Sequence, residues 1–157
     1  MLAARRLEVV EPLFGLDAAT RLVAAVFAPW VQNLGLLIER VEAGRPPGAP
    51  PDWQPGAVLR LPYSHRICRE DGMVCTQALT ALADSAMVVA CAAAWNGHKA
   101  MTPIDQSTHF MRAVNFDVVA DARVLRIGRA TSFGRVMLYG TGDNRPVGMV
   151  ASAFAVP

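Results

Sequence analysis

The chain has 157 residues, 53% of them hydrophobic and 18% charged, with a formal net charge of +2. That length suits one domain around one core, and that composition excludes a large disordered portion. A charge of +2 without a Lys/Arg cluster excludes a nucleic-acid footprint, and three cysteines without a CxxC pair exclude a disulfide framework or a zinc site.

Arg5 and Arg6 precede no long apolar run, so no signal peptide is expected and free thiols fit the reducing cytoplasm. Residues 1–15 read as an arm or an extra short helix. Residues 16–32 carry a helical pattern, with Asp17 as N-cap and Leu22, Val23, Val26 and Phe27 on one face. Pro29 should end or kink that helix. Residues 1–32 therefore read as an N-terminal arm and helix, and 33–157 as the main domain.

Residues 34–43 alternate Ile38 and Val41 with Glu39, Arg40 and Glu42, as a strand does. The proline-rich run 44–56 is a surface loop. A second strand is expected over 57–68, with Pro62 marking an edge position or a bulge. Arg69–Gly72 is a turn.

Residues 77–96 form a long helix, apolar nearly throughout and closed by the Asn96-Gly97 stop signal. Its length approaches that of a membrane span, but Gln77, Thr80, Asp84 and Ser85 crowd its first half, so a buried helix is expected and no membrane. Asp84 is its only carboxylate. Burying one costs several kcal/mol unless it is paired, hydrogen-bonded or protonated. From the residues alone, Asp84 is either a capped or arginine-paired structural acid or a functional one.

Four strands follow, over 102–114, 116–129, 130–139 and 146–156, with turns near Asn115 and over 140–145. Helices and strands segregate along the chain, which is the α+β pattern. A long apolar helix followed by a meander implies a curved antiparallel sheet wrapped around that helix, with association between copies to cover exposed sheet.

Three stretches carry a family likeness. The first is Arg69-Glu-Asp-Gly72 leading through Cys75-Thr76-Gln77 to Leu82-Ala83-Asp84. The second is Pro103-Ile104-Asp105 before Phe110-Met111-Arg112. The third is residues 120–129, ADARVLRIGR. In order and spacing they resemble the hotdog-fold acyl-CoA thioesterases of the PaaI-like, phenylacetate-degradation type, over residues 33–156.

The resemblance implies a hotdog fold of five to six strands and hydrolysis of an acyl-CoA thioester. It makes Asp84 the nucleophile or the general base. It places the Thr76 backbone N–H, at the helix start, on the thioester carbonyl. The substrate-binding set it implies is Arg69, Cys75, Gln77, Pro103, Arg112 and Arg129. Arginines 112, 126 and 129 are candidates for the CoA phosphates, or else ordinary outward-facing arginines.

Cys75-Thr76 stand where the family has His-Gly, Arg69 where it has Asn or Gln, and Pro103 where it has Thr or Ser. No metal or redox cofactor is implied, and coenzyme A enters only as part of the substrate. A non-hydrolytic acyl-CoA-binding protein is the alternative, with a hotdog hydratase or dehydratase behind it. At 1.5 Å per residue, Thr76 and Asp84 of one chain lie about 10–12 Å apart. The family arrangement, a homodimer or dimer of dimers, would bring Asp84 of one copy to the helix start of another.

Overall fold

The structure, a computed structural model, describes residues 13–156. Most of the expected N-terminal arm, residues 1–12, lies outside them. The elements in chain order are α1 (Leu16–Val26), α2 (Pro29–Gln32), β1 (Leu37–Glu42), β2 (Gly56–Leu61), a 3-10 turn (His65–Ile67), α3 (Thr76–Ala94), β3 (Thr102–Phe110), β4 (Val118–Ile127), β5 (Thr131–Gly140) and β6 (Pro146–Ala155).

The helix expected over 16–32 is two helices. Ala28, the residue before Pro29, takes φ −58° and ψ 146°, and Pro29 then opens α2. Proline drives its predecessor out of the helical region and itself suits a first helical position. Asp17 does not cap α1: Gly15 is the N-cap without a side-chain bond, and Asp17 sits in the first turn, where its charge faces the positive end of the helix.

The strand expected over 57–68 stops at Leu61. β2 is an interior strand, between β1 and β4, and a proline inside it would remove a ladder bond. Pro62 therefore falls just past the strand end, neither at an edge nor in a bulge. Ser64 Oγ then accepts the Arg66 N–H at 3.2 Å to start the 3-10 turn.

The six strands form one antiparallel sheet in the order β1-β2-β4-β5-β6-β3. A plain meander would set β3 beside β4. Instead β3 crosses to the far edge and pairs with β6, from Thr102 opposite Ala155 to Phe110 opposite Gly148. Burial explains the order. β4 buries Val118, Ala120, Ala122 and Val124 on one face, whereas β3 has no fully buried residue. The strand with the least to bury takes the edge.

The sheet curves around α3, which is the hotdog arrangement. Leu79, Leu82, Ala83, Ala86, Met87, Val89, Ala90 and Ala93 of α3 are buried against it. Alanines bring the helix close to the sheet, and at Gly134 of β5 an added Cβ would overlap Sδ and Cε of Met87. By length and composition α3 could cross a bilayer, yet 67% of that window is buried inside the fold, as befits a core helix.

α3 is not covered all round, as a helix apolar on every side would be. Thr76 and Gln77 are exposed, and Thr80, Ala81, Asp84 and Val88 are half-buried. Spaced three or four apart, they form one stripe along the helix, toward α2 and the edge strand β3. The C-terminus ends as the sequence indicates: Asn96 takes φ +54°, and the Gly97 N–H donates to Ala92 O at 2.8 Å. Asn96 Oδ1 also accepts the Phe14 N–H at 2.6 Å, tying the start of the described chain to the end of the core helix.

Candidate active site

α3 starts where it does because the backbone before it is claimed. The Val74 N–H donates to Val114 O and the Cys75 N–H to Ile67 O, both at 2.9 Å. Cys75 is extended, with φ −72° and ψ 149°, and its thiol caps nothing. The N–H groups of Thr76 and Gln77 have no acceptor among the described residues. A helix start leaves such donors open and carries partial positive charge. It is a ready place for a carbonyl oxygen that gains negative charge.

Asp84 lies two turns further on, about 12 Å along the axis. It lines a cavity of about 550 Å³ between α3, α2 and β3, with Thr76, Gln77, Thr80, Pro103 and Gln106 among the other walls and Trp30 and Phe110 on its sides. A second cavity, of about 480 Å³, continues past Asp84 between Phe27, Val88 and Met101, with His98 in its wall. Val31, Asp84 and Ser85 belong to both. The carboxylate thus stands at the junction of two mostly apolar cavities.

Burial pushes the Asp84 carboxyl up from its ordinary value, and the neighbouring Gln106 amide pulls it partly back. Gln106 Nε2 is buried and reaches no partner at full hydrogen-bond geometry among the described residues. None of the ion pairs among the described residues involves Asp84. The adjacent Thr80 hydroxyl donates to Thr76 O at 2.9 Å rather than to the acid. Neither a cap from backbone or hydroxyl donors nor an arginine partner meets Asp84 among the described residues.

The cavity gathers four of the sequence-predicted site residues, Asp84, Thr76, Gln77 and Pro103. Cys75 is half-buried beside them at the helix cap. The arginines stand apart. Arg69 sits in the turn before the helix and donates to Asp71 Oδ2 at 2.7 Å. Arg112 donates to Asp143 Oδ1 at 2.6 Å, Arg145 O at 2.9 Å and Pro146 O at 3.0 Å, and lies over the Phe116 ring. Its donors serve the β5–β6 turn. Arg129 is exposed between β4 and β5. The Cys91 thiol is buried and pushed up to about 12, which makes it a packing group.

The sequence reading missed Gln106, Ser85, Trp30, Val31 and Phe110. Trp30 and Val31 were legible in hindsight, since the break at Pro29 makes α2 a separate element that can turn over α3. Gln106 had no sequence signal beyond being an amide in a strand of alternating character.

The model of the thioesterase superfamily matches residues 78–147, the stretch from the first turn of α3 into β6. The match spans less than half of the chain, and it falls on the core helix and the strands that the six-stranded sheet wraps around it. The chain has the hotdog fold, and over 78–147 it is similar to the thioesterase superfamily.

Among solved structures it is similar to the PaaI protein from the phenylacetic acid degradation operon of Escherichia coli, at 16% identity and a TM-score of 0.71, covering 90% of this chain and 91% of that one. A Pseudomonas aeruginosa protein matches at 25% identity and a TM-score of 0.73, over 90% and 98% of the two chains. A mutant of the phenylacetic acid degradation protein PaaI of Thermus thermophilus matches at 20% identity and a TM-score of 0.66, over 83% and 100%. No curated protein matches the sequence.

Proposed function

We propose that this hotdog protein hydrolyses an acyl-CoA thioester to a free acid and coenzyme A. The observation that carries the reading is the lone, half-buried Asp84 carboxyl, raised by burial, at the junction of two apolar cavities on the open face of α3. A carboxylate so placed serves either as nucleophile toward the thioester carbon or as general base for water. The Thr76 N–H at the helix start receives the carbonyl oxygen as it gains charge. Pro103 and Gln77 shape the adjoining wall, and Cys75 the rim.

One chain holds these two features about 12 Å apart, too far to act on one carbonyl. The reading therefore pairs Asp84 of one copy with Thr76 of another in a homodimer or dimer of dimers. The open stripe on α3 and the exposed edge strand β3 support association between copies. Arg129, exposed and outside every ion pair among the described residues, is the arginine with donors to spare for CoA phosphates. The reading calls for no metal, and the free thiols fit the cytoplasm.

The test is thiol release from a panel of acyl-CoA thioesters by wild type and Asp84→Asn. The variant is expected to lose about 10²- to 10⁴-fold in kcat on the best substrate. An undiminished rate overturns the mechanism. Tight acyl-CoA binding by wild type without thiol release establishes the non-hydrolytic alternative, which the Cys75-Thr76 and Pro103 departures motivate.

A further inference from the structure

We propose that Gln106 is a positioning residue for Asp84: from the edge strand, its side-chain amide orients the helix carboxylate and holds it in the ionised form. The inference rests on the reading of Asp84 as the reacting carboxylate.

Three observations carry it. First, Gln106 Nε2 is enclosed and has no partner at full hydrogen-bond geometry among the described residues. Leaving a buried donor unmet is costly, so native folds keep few of them. Of β3, only Gln106 and Thr108 are half-buried; the remaining residues are exposed.

Second, the strand is bent to bring Gln106 inward. Pro103 and Gln106 are three apart, so strict alternation would put them on opposite faces. The register with β6 shifts between Pro103 and Asp105. That irregularity resets the alternation, and Pro103, Gln106 and Phe110 then all line the Asp84 cavity. Bulges next to active sites commonly re-aim a side chain in this way. Asp105 and His109 fall on the opposite face of β3 by the same alternation.

Third, the amide opposes the effect of burial on Asp84. It acts almost alone in this. Among the residues lining the two cavities, His98 is the only other titratable group, contributed by the segment after α3. α1 and its C-cap present Val26 and Phe27 to these cavities, α2 Trp30 and Val31, and β3 Pro103 and Phe110, none of them charged. A donor that meets the ionised carboxylate favours the form a nucleophile or base needs.

Two experiments test the proposal. In the first, kcat and KM are followed against pH for wild type, Gln106→Leu and His98→Asn. Gln106→Leu is expected to move the acid limb of kcat to higher pH, so that activity at mildly acidic pH falls by about tenfold, the loss that a displacement of about one pH unit gives, while KM changes less than kcat. A limb that stays in place overturns the proposal, even if the variant melts lower, because that outcome is a packing role. A limb displaced by His98→Asn instead overturns it as well.

The second needs no activity. The gain in stability from Asp84→Asn at pH 7 is measured in the wild-type and Gln106→Leu backgrounds. A larger gain in the Gln106→Leu background supports the coupling, and equal gains overturn it. If Asp84→Asn retains full thioesterase activity, the hydrolase reading falls on that result, and the stability cycle still decides whether Gln106 holds Asp84.

Discussion

Asp84 should be a stability defect that the protein keeps for its chemistry, and replacing it by asparagine should make the fold more stable. The carboxyl is raised above its ordinary value, with burial as the larger cause and the Gln106 amide as a partial offset. A group raised in the folded state binds its proton more tightly there than in the unfolded chain. Stability linked to it is present below the unfolded value of about 3.9 and is lost as pH rises through the folded value. The penalty on the charged form therefore grows as pH rises above the unfolded value.

Asparagine keeps the shape and carries no charge. An unmet buried polar group costs about 1–3 kcal/mol, more if charged. Asp84 is only half-buried, so the lower end applies, about 1 kcal/mol. For a chain of this size that corresponds to about 2–4 °C in Tm. The assay is thermal and urea unfolding of wild type and Asp84→Asn at several pH values from 3 to 8. The variant should melt higher at pH 7, and the gap should close as pH falls toward the ordinary carboxylate range. A variant less stable than wild type at pH 7, or a gap independent of pH, refutes the reasoning.

The arginines give a paired test. Arg112→Ala removes three hydrogen bonds to the β5–β6 turn and should cost about 1–2 kcal/mol by urea unfolding, with KM for acyl-CoA unchanged. Arg129→Ala should leave stability within about 0.5 kcal/mol and raise KM for the CoA ester more than for a truncated thioester. The helix–sheet contact is tested at Gly134→Ala, whose Cβ would overlap Met87 and meet Arg123 O at 3.1 Å. Overpacking there should cost about 1–3 kcal/mol, read as a lower urea midpoint with an unchanged slope.

The core helix was readable because its signals are local. An apolar run, a stop at Asn96-Gly97 and one unaccompanied acid are all properties of neighbouring residues. The family likeness rests on that same stretch and on residues 102–129, and the fold followed from it. The order of strands was harder: β3 leaves its neighbour β4 because of what each can bury, which depends on the whole sheet. Pro62 was read as a mark on a strand when it was the end of one, since a proline shows that ladder bonds stop without showing on which side.

Within the site, Asp84, Thr76, Gln77 and Pro103 fall together because α3 and the start of β3 bring them together. Arg112 looked available because sequence does not show that Asp143 and the carbonyls of Arg145 and Pro146 claim its guanidinium. Gln106 was invisible for a different reason. Its direction is set by an irregularity in β3 against β6, a register between segments some 45 residues apart.

The central claim is that Asp84 of one copy works with the helix start of another. Mixing two inactive variants tests it most directly. Asp84→Asn removes the acid, and Thr76→Pro removes the backbone donor. Proline suits a first helical position, and the extended Cys75 before it is already in the conformation a proline requires. Each variant alone should lose about 10²-fold or more in kcat. Unfolded together and refolded as a mixture, half of the dimers carry one of each chain, and each of those has one intact site of its two. The mixture should then recover about a quarter of wild-type thiol release, as a two-fold symmetric dimer dictates. A mixture no more active than its separate variants contradicts the account and returns the whole site to a single chain.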